Sequence, residues 1–223
     1  MKKLSRCLCI ICLFIIFLTY LTSCGSPFDR SGYIQGMLDS TYKGIHEPYA
    51  TLVNETPKTL QDNYEQFIER EAKIWLQFCG INSENQLPED LYTSIIQLIK
   101  DLYQHTAYNV ADANRHGVVV LTITSLDIYN AVYADVVKFN DDFKQRNNNY
   151  EFTDYTDDEF QKAYLEPIIE IFRSHMEEPS YTEPVTLSIP VSQNHSGTFS
   201  ISDEDVTAIY NALINYTISD VSK

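Results

Sequence analysis

The sequence predicts an α+β fold in which an antiparallel sheet of about four strands, two hairpins, is covered on one face by about six helices. Three observations carry this. Long segments repeat apolar residues at helical spacing, the period drops from about 3.6 to 2 after Thr106 and again at Pro184, and Gly, Asn and Ser clusters mark the changes.

The elements follow in order. Asp29 to Gly44 carries an apolar stripe of Tyr33, Ile34, Met37, Leu38 and Tyr42, and Gly44 closes it as a C-cap. Thr56-Pro57 supplies an N-cap followed by proline at the first helical position. Leu60, Tyr64, Phe67, Ile68, Trp75 and Phe78 continue at helical spacing to a stop at Gly80. Trp75, the only tryptophan, is expected in the core where this helix meets the sheet, over Val119 or Leu121. Pro88 opens a third helix through Leu91, Ile95, Leu98, Leu102 and Tyr103.

Tyr108 and Val110 then alternate, Asn114-Arg115-His116-Gly117 has turn chemistry, and Val118 to Ile123 is β-branched on both faces, which reads as a hairpin. Asp127 to Phe143 returns to helix through Ile128, Val132 and Val136, and Asn147-Asn148-Asn149 follows as a loop. Thr156-Asp157-Asp158-Glu159 is a capping box opening a helix through Phe160, Tyr164, Leu165, Ile168 and Phe172, which Pro167 is expected to kink. A second hairpin is expected between Pro184–Val191 and Thr198–Ile201, joined by Gln193 to Gly197. Ser202 caps a last helix with Val206, Ile209 and Leu213.

The amino terminus has a different logic. Lys2, Lys3 and Arg6 precede an apolar run from Leu8 to Leu18, and Leu21-Thr22-Ser23-Cys24 follows. A lipoprotein signal peptidase requires a branched apolar residue, two small residues and a cysteine whose thiol carries diacylglycerol, and these four residues meet each requirement in order. Residues 1–23 are thus expected to be a lipoprotein signal peptide, 24–30 a short tether and 31–223 a single α+β domain. The apolar stretch from Cys7 to Leu21 is short against the roughly 20 residues of a spanning helix and lacks a basic stop-transfer cluster. The expected location is the extracytoplasmic face of the cell membrane, held by lipid on Cys24. Cys7, Cys9 and Cys12 leave with the signal, so Cys79 remains as the one thiol and is expected to be buried and inert.

Loss of residues 1–23 lowers Lys plus Arg from 16 to 13 against 31 Asp plus Glu, moving the net charge from −15 to −18. Such a chain repels nucleic-acid phosphate, so no nucleic-acid partner is expected. The segments Ser31 to Gly44, Val118 to Ile123 with Leu126-Asp127-Ile128, and Pro184 to Leu187 with Phe199 to Asp205 resemble an uncharacterised family of Gram-positive, largely clostridial, lipoproteins. The likeness covers nearly the whole mature chain. It implies a fold and an envelope address, and no reaction. Two departures are Phe199, where the resemblance implies Trp, and Pro167, in a helix it implies to be continuous. The order of opening helices before a curved hairpin also resembles NTF2-like and cystatin-like folds.

Catalytic signals are poor. His46-Glu47-Pro48-Tyr49 begins like a zinc-protease helix, but the second histidine is absent and Pro48 is expected to spoil the helix. His105, His116, His175 and His195 stand isolated at turns or helix ends. The acidic runs Asp141-Asp142, Asp154 with Asp157-Asp158-Glu159, and Asp203-Glu204-Asp205 lack the spacing of a calcium loop, and two of them suit helix first turns. No cofactor or metal site is expected. Sixteen tyrosines allow a stacking surface, but Tyr33, Tyr42, Tyr64, Tyr92, Tyr103 and Tyr164 fall at helical core-edge positions and are expected to be half-buried. The expected function is a membrane-anchored extracytoplasmic lipoprotein acting as a non-catalytic binding module for an envelope or extracellular ligand or protein. The alternative is a cell-envelope hydrolase whose carboxylates converge only in the fold.

Overall fold

The computed structural model describes residues 29–81, 87–112, 116–194 and 197–218. Its opening helix α1 (Arg30–Lys43) begins where the Asp29 carboxylate accepts the Gly32 N–H. It ends where Gly44 turns left-handed at φ 71° and donates to the Asp39 carbonyl. A short helix α2 (Glu47–Val53) follows, and it corrects the expectation that Pro48 would break helical structure here. Proline in the first turn lacks only an N–H that has no intrahelical partner, so Pro48 starts the helix instead of spoiling it.

Helix α3 (Pro57–Phe78) is capped by the Thr56 hydroxyl on the Thr59 N–H, and α4 (Glu89–Gln104) starts after Pro88. Strand β1 (Ala107–Val110) pairs antiparallel with β2 (Val118–Thr124), setting Tyr108 opposite Ile123. Helix α5 (Ile128–Asn148) packs on α6 (Asp157–Met176), which opens on the complete Thr156/Glu159 capping box and runs on through Pro167. Then come β3 (Val185–Pro190), β4 (Ser192–Gln193), β5 (Phe199–Ser200) and α7 (Asp203–Leu213).

The α+β class is as the sequence predicts, with seven helices among the described residues, but the sheet differs. Strands β1, β2 and β3 form one three-stranded sheet with β2 central, and β4–β5 make a separate two-stranded ribbon. The segment expected to pair with Thr198–Ile201 instead lies along the free edge of β2, placing Leu187 opposite Leu121 and Ile189 opposite Val119. Burial explains the choice. Val119, Leu121 and Ile123 form one buried row, and Ile189 extends it, whereas the short β4–β5 ribbon keeps only two residue pairs.

Helices α1 and α7 lie against the sheet, and α1, α3, α4, α6 and α5 pack on one another in that succession. Buried residues from all these elements form one cluster. Trp75 is fully buried within it, in the same cluster as Val119 and Leu121, and its indole meets Phe172 of α6 edge-on at 5.8 Å. After α7 the chain runs beside Leu126: the Asn215 N–H donates to the Leu126 carbonyl, and the Asn215 amide donates to Asp127. This docking brings Tyr216 back onto the helices.

Candidate functional site

The inward stripe of α3 holds a residue that does not belong to an apolar surface. Glu71 lies one turn from both Phe67 and Trp75 and is only 2% exposed. Its carboxylate accepts from the hydroxyls of Tyr103 on α4 at 3.0 Å, Tyr210 on α7 at 3.0 Å and Tyr216 in the C-terminal segment at 2.7 Å. The neighbouring Arg70 adds a longer contact through Nε at 3.4 Å. A buried carboxylate is tolerated only when such donors replace its water. Burial, above all, raises Tyr103, Tyr210 and Tyr216 from the ordinary tyrosine pKa, so their hydroxyls keep the protons they donate.

Above this cage a groove of about 770 Å³ runs between α1, α3 and α7, lined by Tyr42, Asn63, Gln66, Phe67, Arg70 and Tyr210 among others. Arg70 is its one charged lining residue. The guanidinium lies over the rings of Phe67 at 5.1 Å and Tyr210 at 5.7 Å, while 61% of its side chain remains exposed. The groove continues into a second cavity of about 360 Å³ near α2, and Thr41 and Asn63 line both. The α1–α3 seam is therefore one elongated cleft.

At its α2 end a chain of hydrogen bonds has a fixed sense. Glu65 can only accept, so the Gln61 amide donates to it at 2.8 Å and turns its oxygen to His46 Nε2 at 3.0 Å. In the neutral imidazole Nε2 then carries the proton, and Nδ1 accepts the Ser40 hydroxyl at 2.9 Å. Ser40 is 3% and His46 8% exposed, and Ser40 lines the smaller cavity. From its sequence context His46 suggests a metal ligand; in the fold its partners are a hydroxyl and an amide.

The other singled-out residues are placed as follows. Cys79 is buried, which pushes its thiol well up. His105 ends α4, and His175, in the last turn of α6, contacts Asp135 at 2.9 Å. Asp157, Asp158 and Glu159 occupy the first turn of α6, and Asp203, Glu204 and Asp205 that of α7. Among the described residues no group of three or more His, Cys, Asp or Glu could hold a metal ion. Tyr33, Tyr42, Tyr64 and Tyr103 are more deeply buried than expected. The signal-cleavage residues Leu21, Thr22, Ser23 and Cys24, and the turn residues Asn114, Arg115 and His195, lie outside the described residues.

Glu71 could have been flagged from its place on the α3 stripe, but its partners Tyr210 and Tyr216 stand 139 and 145 residues away. Ser40 and Gln61 carried no sequence signal.

No protein-family model matches the chain, and no curated protein matches it. The fold does resemble a solved structure, that of a candidate lipoprotein (ycdA) from Bacillus subtilis, with a TM-score of 0.56 at 13% identity over 84% of this chain. The chain spans 56% of the length of that protein. The likeness is one of fold.

Proposed function

We propose that this chain is a membrane-anchored extracytoplasmic lipoprotein, attached by acyl groups on Cys24, that binds an envelope ligand in the α1–α3 cleft without transforming it. The anchor rests on the Leu21-Thr22-Ser23-Cys24 motif behind its basic and apolar segments, and the fold shared with a candidate lipoprotein agrees with it. Among the described residues no helix is long and apolar enough to cross a membrane. The observation that carries the binding reading is the cleft itself, whose polar lining residues Asn63 and Gln66 make no side-chain hydrogen bond within the described protein. Cys24→Ala should abolish acyl labelling and release the protein from the membrane fraction; a variant that still carried label would contradict the anchor.

A second reading, an envelope hydrolase, is favoured by the Ser40–His46–Gln61–Glu65 chain. A base at His46 Nδ1 could take the Ser40 proton as Oγ attacked an acyl carbonyl. Position weighs against it. Ser40 lies in the last turn of α1, where the helix dipole is negative and would oppose a developing oxyanion. The binding reading predicts that a fluorophosphonate probe leaves Ser40 unlabelled; labelling lost in His46→Gln would replace it with the hydrolase.

A further inference from the structure

The larger end of the cleft has a composition at odds with the molecule around it. The whole chain carries 31 acidic residues against 16 basic ones, yet the groove beside Arg70 is lined by no carboxylate. The guanidinium there is also oriented. Glu71 engages its Nε, its Cζ lies over the rings of Phe67 and Tyr210, and the terminal nitrogens have no hydrogen-bond partner among the described residues. A planar fork held at Nε and over two rings, with both terminal nitrogens unpartnered among the described residues, suits a carboxylate, which it can meet through two parallel hydrogen bonds.

The remaining lining says what that carboxylate is attached to. Asn63, Gln66 and Arg70 succeed one another along the exposed side of α3, with Ile74 one turn further and Val206 opposite on α7. At about 1.5 Å per residue, Asn63 and Arg70 are separated by roughly 10 Å along the helix axis, the span of about three residues of extended peptide. Carboxamides carry the donor and acceptor pair that a peptide unit needs. A sugar acid would want a free aromatic face, and none is offered: Tyr42 stacks on Tyr103 at 5.8 Å, and Phe67 and Tyr210 already carry Arg70.

Resting on the binding reading above, we infer that this end of the cleft holds an extended peptide, its carboxylate on Arg70, its backbone on Gln66 and Asn63, and an apolar side chain against Ile74 and Val206. The carboxylate belongs to a chain terminus or to an Asp or Glu side chain.

The test uses the full chain captured from detergent and two libraries of N-acetylated tetrapeptides, one with free carboxyl termini and one amidated, with retained peptides quantified by mass spectrometry. Free acids should be retained at least about tenfold over amides. Amidated peptides retained only when they contain Asp or Glu would assign the carboxylate to a side chain. Arg70→Met, which keeps an apolar stem beside Phe67 and is compared with the parent at a temperature where circular dichroism shows both folded, should lose the discrimination, and Arg70→Lys should recover it only in part. Equal retention of tetrapeptides that carry a carboxylate and of those that carry none, discrimination that survives Arg70→Met, or retention of neither library would overturn the inference. Adducts formed in the cleft by native envelope material would leave the binding reading standing in each of those cases.

Discussion

Glu71 gathers four chain segments onto one carboxylate, so its substitutions separate charge from shape. Glu71→Ala removes the acceptor shared by three tyrosine hydroxyls, leaving the Tyr103–Tyr216 pair only each other, and should destabilise by about 3 to 5 kcal/mol, the range for breaking a buried charge network from one side. Glu71→Gln keeps one acceptor oxygen but points an amide donor at hydroxyl donors, and should cost about 1 to 3 kcal/mol. Chemical denaturation of the two variants checks the order; equal costs would mean that the cage is held by packing alone. Trp75 offers a second residue-scale measurement. Trp75→Ala empties a fully buried site and should cost about 3 to 5 kcal/mol. Trp75→Phe should cost clearly less, since it also removes an indole N–H with no hydrogen-bond partner. The parent emission should be blue-shifted and poorly quenched by acrylamide.

Helices were legible in the sequence because their signals are local. The Thr56, Thr156 and Ser202 hydroxyls each accept the N–H three residues on, and the stripes of Tyr33 to Tyr42 and Leu91 to Tyr103 are buried as their spacing implies. Thr156→Ala, which removes one half of the capping box, should lower stability by about 1 kcal/mol in the same denaturation experiment. An unchanged midpoint would show that packing of α6 on α5 makes the cap redundant. Strand pairing was less legible. Val185–Pro190 and Thr198–Ile201 are separated by turn residues that read as a hairpin, but the competing partner, the open edge of β2, becomes visible only once β1 and β2 are paired. The cleft was illegible for the same reason: Ser40, Asn63, Arg70 and Tyr210 are ordinary residues of three separate helices until α1, α3 and α7 meet.

At the scale of the whole molecule, the buried tyrosines set the pH limits. Burial raises Tyr103, Tyr129 and Tyr216 above the ordinary pKa of 10.0. The folded state therefore holds protons that the unfolded chain releases above about pH 10, and stability present below that pH is lost as pH rises further. Three such groups remove on the order of 4 kcal/mol per pH unit, against a total of about 5 to 15 kcal/mol for a typical domain. The protein should unfold between about pH 11 and 13, with tyrosinate absorbance and loss of helical circular dichroism rising together. Tyrosinate appearing in full while the helices remain would contradict the buried cage.

The claim that joins these scales is that the α1–α3 seam is a ligand cleft presented on the outer face of a membrane. A photo-reactive side chain at position 66, inside the cleft, and another at position 73, exposed on the same helix but away from it, test that claim in intact cells. Irradiation should yield a discrete adduct in the membrane fraction from position 66, lost with Arg70→Met, and none from position 73. Equal adducts from both positions, or none from position 66, would contradict it.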